Sequence, residues 1–365
     1  MSTLPLPRTP DDVTAPWLTS VLHGSGALPE TGTVASFTRT PVAEGVGMLS
    51  AIEFIGLTYD GDAGDAPASV VVKFPTTNEV NRGVAEHYGV YTREVNYFAQ
   101  LDPRSAADGP TVHISAMDDS GDFVIVLEDL TGYELGDQVV GADLAQTEAA
   151  IDGLAKLHAS FWGQLESDEY DWLPRAAGSQ NATNMLEGSK VGWDPVTEIF
   201  GAHVPQWLRD AKDAYFAAVP RLQERLDAEP RTLVHGDFRM DNLFFGTEPH
   251  HYPMTFVDWQ GPLRGRGIHD VAYLLCQSTQ TPVREANEQA LIQRYVDGLA
   301  AQGIEGYGFD EAWEDYRHGV LYLWVYATVI AGTLDPTNER GNAWMSEMIK
   351  RNVAAIEHLG CLDLL

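Results

Sequence analysis

Two polar motifs, each beside a short apolar run, place the strongest constraint on the fold of this chain. The first is LVHGDFRMDNLFF, residues 233–245, in which Asp237 and Asn242 lie between two strand-like runs. The second is MTFVDWQ, residues 254–260, an apolar run that is followed by Asp258. A strand–loop–strand hairpin would bring these polar side chains to the same end of the strands. We therefore expect Asp237, Asn242 and Asp258 to form one site.

Three oxygen-bearing side chains of this kind suit phosphoryl transfer. Asp237 would accept or orient the proton of the attacking hydroxyl, and Asp258 with the neutral amide of Asn242 would bind Mg²⁺. The same Asp-x4-Asn spacing, followed by a second Asp, occurs in the protein-kinase signature. An ordinary polar turn and a metal-binding hydrolase site are the two alternatives, and other parts of the sequence distinguish among them.

The first third of the chain contains the residues with which a kinase would hold a nucleotide. Lys73 stands alone among apolar neighbours in the strand-like run VVVKFP, where it would hold the α- and β-phosphates. Glu94, in the next helical segment, is the expected partner of this lysine, and Glu86 is the less favoured one. These residues precede the Asp-x4-Asn motif in the order that a kinase requires.

A glycine-containing turn, EGVGMLS at residues 44–50, lies where a phosphate-covering loop belongs, between the first two strand-like runs. Ser50, or the backbone amides from Gly47 to Leu49, would contact phosphate there. The turn is not a Walker A motif because no Gly-Lys-Ser/Thr sequence follows it.

Five β-rich runs precede a mainly helical second half. Before these runs, Thr9 and Pro10 are expected to begin a short helix toward His23. After Asp129 a long amphipathic pattern at 143–165 predicts a helix, and helices dominate from about residue 205. This order predicts an α+β protein with an N-terminal lobe, residues 1–130, that carries a small five-stranded antiparallel sheet. Residues 131–365 would form a larger, mostly helical C-terminal lobe with the catalytic loop and the substrate site.

The charge balance restricts the partners. The chain has 23 Lys and Arg against 53 Asp and Glu, a formal net charge of −30. Such a surface repels phosphate backbones and anionic lipids, so no nucleic-acid or membrane partner is expected. Either it holds a cationic substrate or it only confers solubility. Only two cysteines and no apolar leader predict a cytoplasmic protein. The choice between a monomer and a homodimer stays open.

These motifs resemble those of the aminoglycoside phosphotransferase/choline kinase superfamily. LVHGDFRMDNLFF and FVDWQ look like its catalytic loop and metal-binding motif. The segments FVIVLEDLTG and LAKLHASFWG, together with Gln260, most resemble the ecdysteroid kinase-like branch. The resemblance covers about residues 40 to 280 and implies a protein-kinase-like bilobal fold.

The resemblance also implies a role for individual residues. Asp237 would be the catalytic base, Asn242 and Asp258 the Mg²⁺ ligands, and Lys73 with Glu94 the ion pair that holds ATP. Two further residues would support the loop, since His235 would brace it and Asp270 would hydrogen-bond to it. The run VLEDL would be the hinge at which adenine meets backbone groups of Glu128, Asp129 and Leu130.

Two positions depart from related patterns. Arg239 stands where many antibiotic kinases have a histidine, and it would either contact the γ-phosphate or form a surface salt bridge. Trp259 and Gln260 replace the Phe-Gly pair of protein kinases, so a glycine-dependent switch is not expected and constitutive activity is favoured.

The sequence thus predicts an ATP- and Mg²⁺-dependent phosphotransferase that acts on a hydroxyl group of a small molecule. An antibiotic, a sugar, an amino alcohol and a lipophilic alcohol all stay open as acceptors, and ATP is not distinguished from GTP. One alternative is a catalytically silent, pseudokinase-like binding protein. The other is a metallohydrolase that would use His235, His250 and His251 with Asp237 and Asp258. His158, on the inner face of its helix, is expected to be a core histidine.

Overall fold

The computed structural model describes residues 5–42, 49–333 and 339–365. The chain divides into two compact units. The first unit comprises Met1–Arg104 and Gly109–Gly132, and the second comprises Ser105–Asp108 and Tyr133–Leu365.

An antiparallel sheet forms the centre of the first unit. In the described residues its strands follow the order β1-β2-β3-β5-β4, and they are β1 Thr33–Pro41, β2 Ser50–Asp60, β3 Ser69–Pro75, β4 Val112–Met117 and β5 Phe123–Glu128. The predicted five-stranded antiparallel sheet is therefore confirmed. The strand β3 lies between β2 and β5, so that Lys73 is opposite Ile52 on one side and Ile125 on the other.

Within the described part of the first unit, three α-helices accompany this sheet: α1 Ala15–Gly24, α2 Glu79–Tyr88 and α3 Val90–Asn96. The helix α1 packs on the sheet through the apolar side chains of Trp17, Leu18, Val21 and Leu22. The helix α3 continues into a π-helical turn, Tyr97–Leu101.

The predicted helix from Thr9 toward His23 is wrong at its start. Thr9 precedes only a 3₁₀ turn, Pro10–Asp12, and α1 begins after it, where the Thr14 hydroxyl accepts a hydrogen bond from the Trp17 amide at 3.3 Å. A second capping residue five positions along thus begins the true helix.

Helices dominate the second unit. They are α4 Leu144–Phe161, α5 Gln180–Ile199, α6 Gln206–Asp210, α7 Lys212–Leu226, α8 Ile268–Tyr273, α9 Thr281–Ala301, α10 Phe309–Tyr322, α11 Trp324–Thr333 and α12 Glu339–His358. None of the helices within the described ranges combines the length and the apolar character that crossing a bilayer requires.

Two small antiparallel sheets in the second unit place the polar motifs. The strands β6 Glu134–Leu135, β8 Leu243–Phe245 and β9 Met254–Phe256 form one sheet in the order β6-β8-β9. The strands β7 Thr232–Val234 and β10 Leu263–Gly265 form the other. The predicted hairpin is therefore β8–β9, and residues 235–242 connect two different sheets.

Candidate active site

A buried carboxylate holds the start of the loop that follows β7. Asp270, on α8, accepts hydrogen bonds from the backbone amides of His235 at 2.7 Å and Gly236 at 3.0 Å. Burial alone would raise the pKa of Asp270, but the hydrogen bond from His158 and the nearby histidines outweigh it, and the pKa is lowered. The expectation that Asp270 hydrogen-bonds to this loop is confirmed.

His158 connects Asp270 to the helical core. Its Nε2 atom lies 3.2 Å from Asp270 Oδ2, and its Nδ1 atom lies 2.8 Å from the hydroxyl of Tyr295. The imidazole is fully buried. His158 is thus a core histidine with a partner at each ring nitrogen, as the sequence predicts.

His235 and Gly236 fix the backbone immediately before Asp237. The His235 Nε2 atom lies 3.0 Å from the Val257 carbonyl oxygen, and Nδ1 accepts from the Asp237 amide at 3.3 Å, so the proton is on Nε2. Gly236 has φ +80°, and a Cβ there would lie 2.2 Å from the Gly261 carbonyl oxygen. The prediction that His235 braces the loop is confirmed.

Asp237 is held by one donor at each carboxylate oxygen. The Tyr273 hydroxyl donates to Oδ1 at 3.1 Å, and the Asn242 amide nitrogen donates to Oδ2 at 3.1 Å. The same nitrogen donates to the Asp237 carbonyl oxygen at 2.9 Å. The Asp237 side chain is still 32% exposed, so its remaining lone pairs are accessible to a substrate hydroxyl.

The β8–β9 hairpin brings Asn242 and Asp258 to the same end. Leu243 is opposite Phe256, and the Val257 amide donates to the Asn242 carbonyl oxygen at 3.0 Å. Asp258 then has φ +68°, and it is the one residue other than glycine with a positive φ in the ranges described. An aspartate whose backbone adopts the left-handed conformation is uncommon, and such outliers cluster at functional sites.

The donor set at this end of the hairpin fits a hard divalent cation such as Mg²⁺. Asn242 uses its amide nitrogen for both hydrogen bonds to Asp237, which leaves the amide oxygen for a ligand. Asp258 supplies a carboxylate, and a nucleotide would supply phosphate oxygens. These residues therefore suit a metal that is shared with a bound substrate.

The metal cluster that a hydrolase needs is not formed. No group of three or more His, Cys, Asp or Glu side chains in the described residues is arranged to hold a metal ion. The imidazole of His251 instead stacks on Tyr133 at 4.0 Å, and its Nδ1 atom accepts from the Thr247 amide at 3.2 Å. Both ring nitrogens of His235 are engaged within the loop. The metallohydrolase alternative is therefore not supported.

Arg239 lies in a partly buried network of charges and forms ion pairs within the loop. Its Nε atom is 3.3 Å from Asp237 Oδ2, and its Nη1 atom is 3.6 Å from Asp241 Oδ2. The guanidinium lies 5.2 Å from the ring centre of Trp344. Burial alone would lower the pKa of Arg239, but the negative charge of Asp237 and its neighbours raises it, so the side chain stays cationic beside the carboxylate.

Trp259 is buried in the place where protein kinases have phenylalanine. The centre of its indole ring lies 4.6 Å from the centre of the His235 imidazole and 5.5 Å from the centre of the Phe256 ring. This packing anchors the residue that directly follows Asp258, so a flip of the segment would have to expose a large aromatic side chain.

In the first unit, Lys73 forms an ion pair with Glu94 of α3. The Lys73 Nζ and Glu94 Oε1 atoms are 2.7 Å apart, and both side chains are buried. Glu86, the less favoured partner, pairs with Arg82 at 2.9 Å on the surface. Of the two candidates, Glu94 is therefore the carboxylate next to the lysine.

Of the other residues that the sequence assigns to nucleotide binding, the described ones lie at the end of a strand or directly after it. Ser50 is the buried first residue of β2, and Gly47 lies outside the described residues. At the end of β5, the Glu128 carboxylate accepts from the Thr111 amide at 2.9 Å.

The two residues after β5 complete the expected hinge. The Asp129 carboxylate accepts from the Ser69 hydroxyl at 2.6 Å, and the side chain of Leu130 is buried. The carboxylates of Glu128 and Asp129 are thus both engaged in hydrogen bonds, and the adenine contact of this segment stays a prediction.

Two supporting residues are not predicted by the sequence. The Gln138 side-chain oxygen accepts from the Met240 amide at 2.9 Å, and its backbone amide donates to Asp241 Oδ1 at 3.0 Å. No local pattern marks Gln138, because its partners are about a hundred positions away. Tyr273 could have been predicted from the sequence, because it lies three residues after Asp270 and therefore on the same face of α8.

Two features define a kinase-like protein. One is the ion pair between Lys73, on the five-stranded antiparallel sheet, and Glu94 of α3. The other is the braced His-Gly-Asp loop of the helical unit. The sequence pattern of the ecdysteroid kinase-like family matches residues 44–304, and the chain belongs to this family. The predicted family relationship is thus confirmed. The comparison with curated proteins gave no match.

Solved structures show the same fold. A GDP complex of a mutant of aminoglycoside 2'-phosphotransferase-IIIa has a TM-score of 0.56 at 13% identity, over 94% of this chain and 99% of that one. A choline kinase from Cryptosporidium parvum Iowa II has a TM-score of 0.55 at 8% identity, over 94% and 97%. A putative aminoglycoside phosphotransferase from Ralstonia eutropha JMP134 has a TM-score of 0.54 at 14% identity, again over 94% and 97%. The predicted kinase-like α+β fold is confirmed, and family and fold together support a small-molecule phosphotransferase.

Proposed function

We propose that this protein transfers the γ-phosphoryl group of ATP, in the presence of Mg²⁺, to a hydroxyl group of a small molecule. The observation that carries the proposal is the state of Asp237. Its carboxylate is fixed by one donor at each oxygen, remains partly exposed, and follows a loop whose backbone is held by Asp270. This is the arrangement that a positioned base for a hydroxyl nucleophile requires.

Each residue of the site has a role in this proposal. Asp237 would orient the acceptor hydroxyl and take its proton as the oxygen attacks phosphorus. Asn242 and Asp258 would hold Mg²⁺, which when bound neutralises charge on the phosphates. Arg239, cationic and next to Asp237, would stabilise negative charge that develops on the transferred group.

The first unit would supply the nucleotide contacts. Lys73 would hold the α- and β-phosphates, with its ammonium group kept in place by Glu94. Backbone groups of Glu128, Asp129 and Leu130 would meet the base, and Ser50 with the turn before it, including Gly47, would cover the phosphates. The acceptor is a small molecule with a free hydroxyl, and the proposal involves neither nucleic acid nor membrane.

The direct test is acceptor-dependent release of nucleoside diphosphate. Purified protein is incubated with Mg²⁺ and either ATP or GTP, together with a panel of antibiotics, sugars, amino alcohols and lipophilic alcohols. We expect one acceptor class to stimulate release and Asp237→Asn to abolish it. Asp297→Asn, a change of the same kind at an exposed position on α9, is the matched control and should retain activity.

Two results would count against the proposal. An Asp237→Asn variant that turns over as fast as the wild type would remove Asp237 from the chemistry. A wild-type protein that binds nucleotide but phosphorylates no acceptor in the panel would favour the pseudokinase-like alternative.

A further inference from the structure

Tyr273 contacts the proposed base directly, although it lies 36 positions further along the chain. It is the last residue of α8, and its side chain is almost completely buried. Its hydroxyl oxygen is 3.1 Å from Asp237 Oδ1. The contact is therefore set by the packing of α8 against the loop after β7.

The hydroxyl of Tyr273 is the donor in this hydrogen bond. An ionised carboxylate can only accept, and a phenol can donate. Burial raises the pKa of Tyr273 well above its ordinary value, and the negative charge of Asp237 raises it further. The phenol therefore keeps its proton at any pH at which a kinase operates.

The helix α8 thus holds both the backbone of the loop and one of its side chains. Asp270 fixes the backbone amides of His235 and Gly236, and Tyr273, one turn further along α8, fixes the side chain of Asp237. The ring of Tyr273 is itself packed edge to face against Tyr326, with 5.8 Å between ring centres. The donor therefore belongs to the rigid helical core.

We propose that Tyr273 is a positioning residue for phosphoryl transfer, which orients the carboxylate of Asp237. Tyr273 at Oδ1 and Asn242 at Oδ2 together leave the carboxylate one orientation, in which the unused lone pairs receive the acceptor hydroxyl. The inference rests on the proposed function and adds to it a residue outside the Asp-x4-Asn motif.

The test compares Tyr273→Phe with Tyr322→Phe. Tyr322 is also a buried tyrosine, its ring centre lies 6.1 Å from that of Tyr326, and its hydroxyl is engaged by Gln223 at 3.3 Å. Each substitution deletes one buried hydroxyl and keeps the ring, so the two variants differ in whether the hydroxyl reaches Asp237.

We expect Tyr273→Phe to lower kcat by about tenfold or more, as the loss of a hydrogen bond to a charged group implies. The KM values for nucleotide and acceptor should change by less than about twofold, because the contact is made to the base and not to a bound substrate. Tyr322→Phe should change none of these quantities.

The split between kcat and KM decides the test even if Tyr273→Phe is less stable, provided that the rates are referred to the folded fraction measured by urea denaturation. A Tyr273→Phe enzyme with the kcat of Tyr322→Phe would overturn the role of Tyr273 and leave the proposed function intact, provided that Asp237→Asn is inactive. A fall in kcat that disappears once the rates are referred to the folded fraction would also overturn it, and so would an equal effect on the KM values. A wild-type protein without phosphotransfer would remove the proposed function and this inference together.

Discussion

Lys73 Nζ lies 2.7 Å from Glu94 Oε1, and the two side chains are 9% and 1% exposed. Charges removed from water to this extent depend on each other, because each loses its hydration and gains its partner instead. The pair joins the central strand β3 to the helix α3 and therefore matters for the stability of the first unit, and in the proposed function it also holds the nucleotide.

Substitution of Lys73 by methionine should affect both properties. We expect nucleotide affinity to fall at least tenfold, and the free energy of unfolding to fall by about 3 kcal/mol because Glu94 loses its ion-pair partner. Titration with a fluorescent nucleotide and urea denaturation measure the two effects. Lys156→Met, at a surface pair with Asp108 of 2.8 Å, is the control and should cost less than about 1 kcal/mol. Unchanged nucleotide affinity in Lys73→Met would contradict the proposed role.

Gly236→Ala should disrupt the loop before Asp237. A Cβ at this position would lie 2.2 Å from the Gly261 carbonyl oxygen, and φ is +80°, so both the contact and the backbone conformation oppose a side chain. We expect a loss of about 3 kcal/mol in unfolding free energy and loss of phosphotransfer. Gly121→Ala is the control: its φ is +83° and a Cβ there would meet no heavy atom within 4 Å, so it measures the cost of the backbone conformation alone. Equal stability losses in the two variants would show that the contact with Gly261 does not matter.

Substitutions at Asn242 should separate its two contributions. Asn242→Ala removes the oxygen that would bind the metal, and we expect the Mg²⁺ concentration for half-maximal activity to rise at least about tenfold. Asn242→Asp keeps an oxygen but loses the donor to Asp237, so two carboxylates face each other and kcat should fall about a hundredfold. Mg²⁺ titrations of initial rate measure both. Asn287→Ala, which removes a bond to a helix carbonyl on α9, is the control. An unaltered Mg²⁺ requirement in Asn242→Ala would remove this residue from the metal site.

His269 should make the protein less stable as the pH falls. Burial lowers the pKa of His269 to about 4, whereas an unfolded histidine titrates near about 6.5. Between these values the unfolded chain binds a proton that the folded protein excludes. This contribution to stability is therefore complete above about pH 6.5 and is lost as the pH falls to about 4, by about 3 kcal/mol in total.

Urea denaturation at a series of pH values checks this expectation. His269→Phe should show a shallower loss of stability between pH 6.5 and 4 than the wild type, because it removes the group that takes up the proton only after unfolding. His250→Phe, at an exposed position, should keep the wild-type slope. Identical slopes in wild type and His269→Phe would mean that other groups dominate acid unfolding.

Local patterns predicted much of the site. The loop after β7 was predictable because its residues are close in sequence and lie between two short apolar runs, which form β7 and β8. Lys73 stood out as a charge in an apolar strand, and Glu94 as a carboxylate in the clearest helical pattern after that strand, which forms part of α3. A local error, the helix start at Thr9, arose because two threonines with similar capping signals follow each other within five positions.

The sequence by itself therefore determined the α+β order of elements, the family, and the identity of the residues proposed for catalysis, because each is encoded within a short segment. Only the tertiary structure decided what surrounds Asp237: the hydroxyl of Tyr273, the stacking of Arg239 near Trp344, and the support from Gln138. These contacts join positions up to about a hundred residues apart. They follow from how helices and strands pack around a buried core, which no short stretch of sequence specifies.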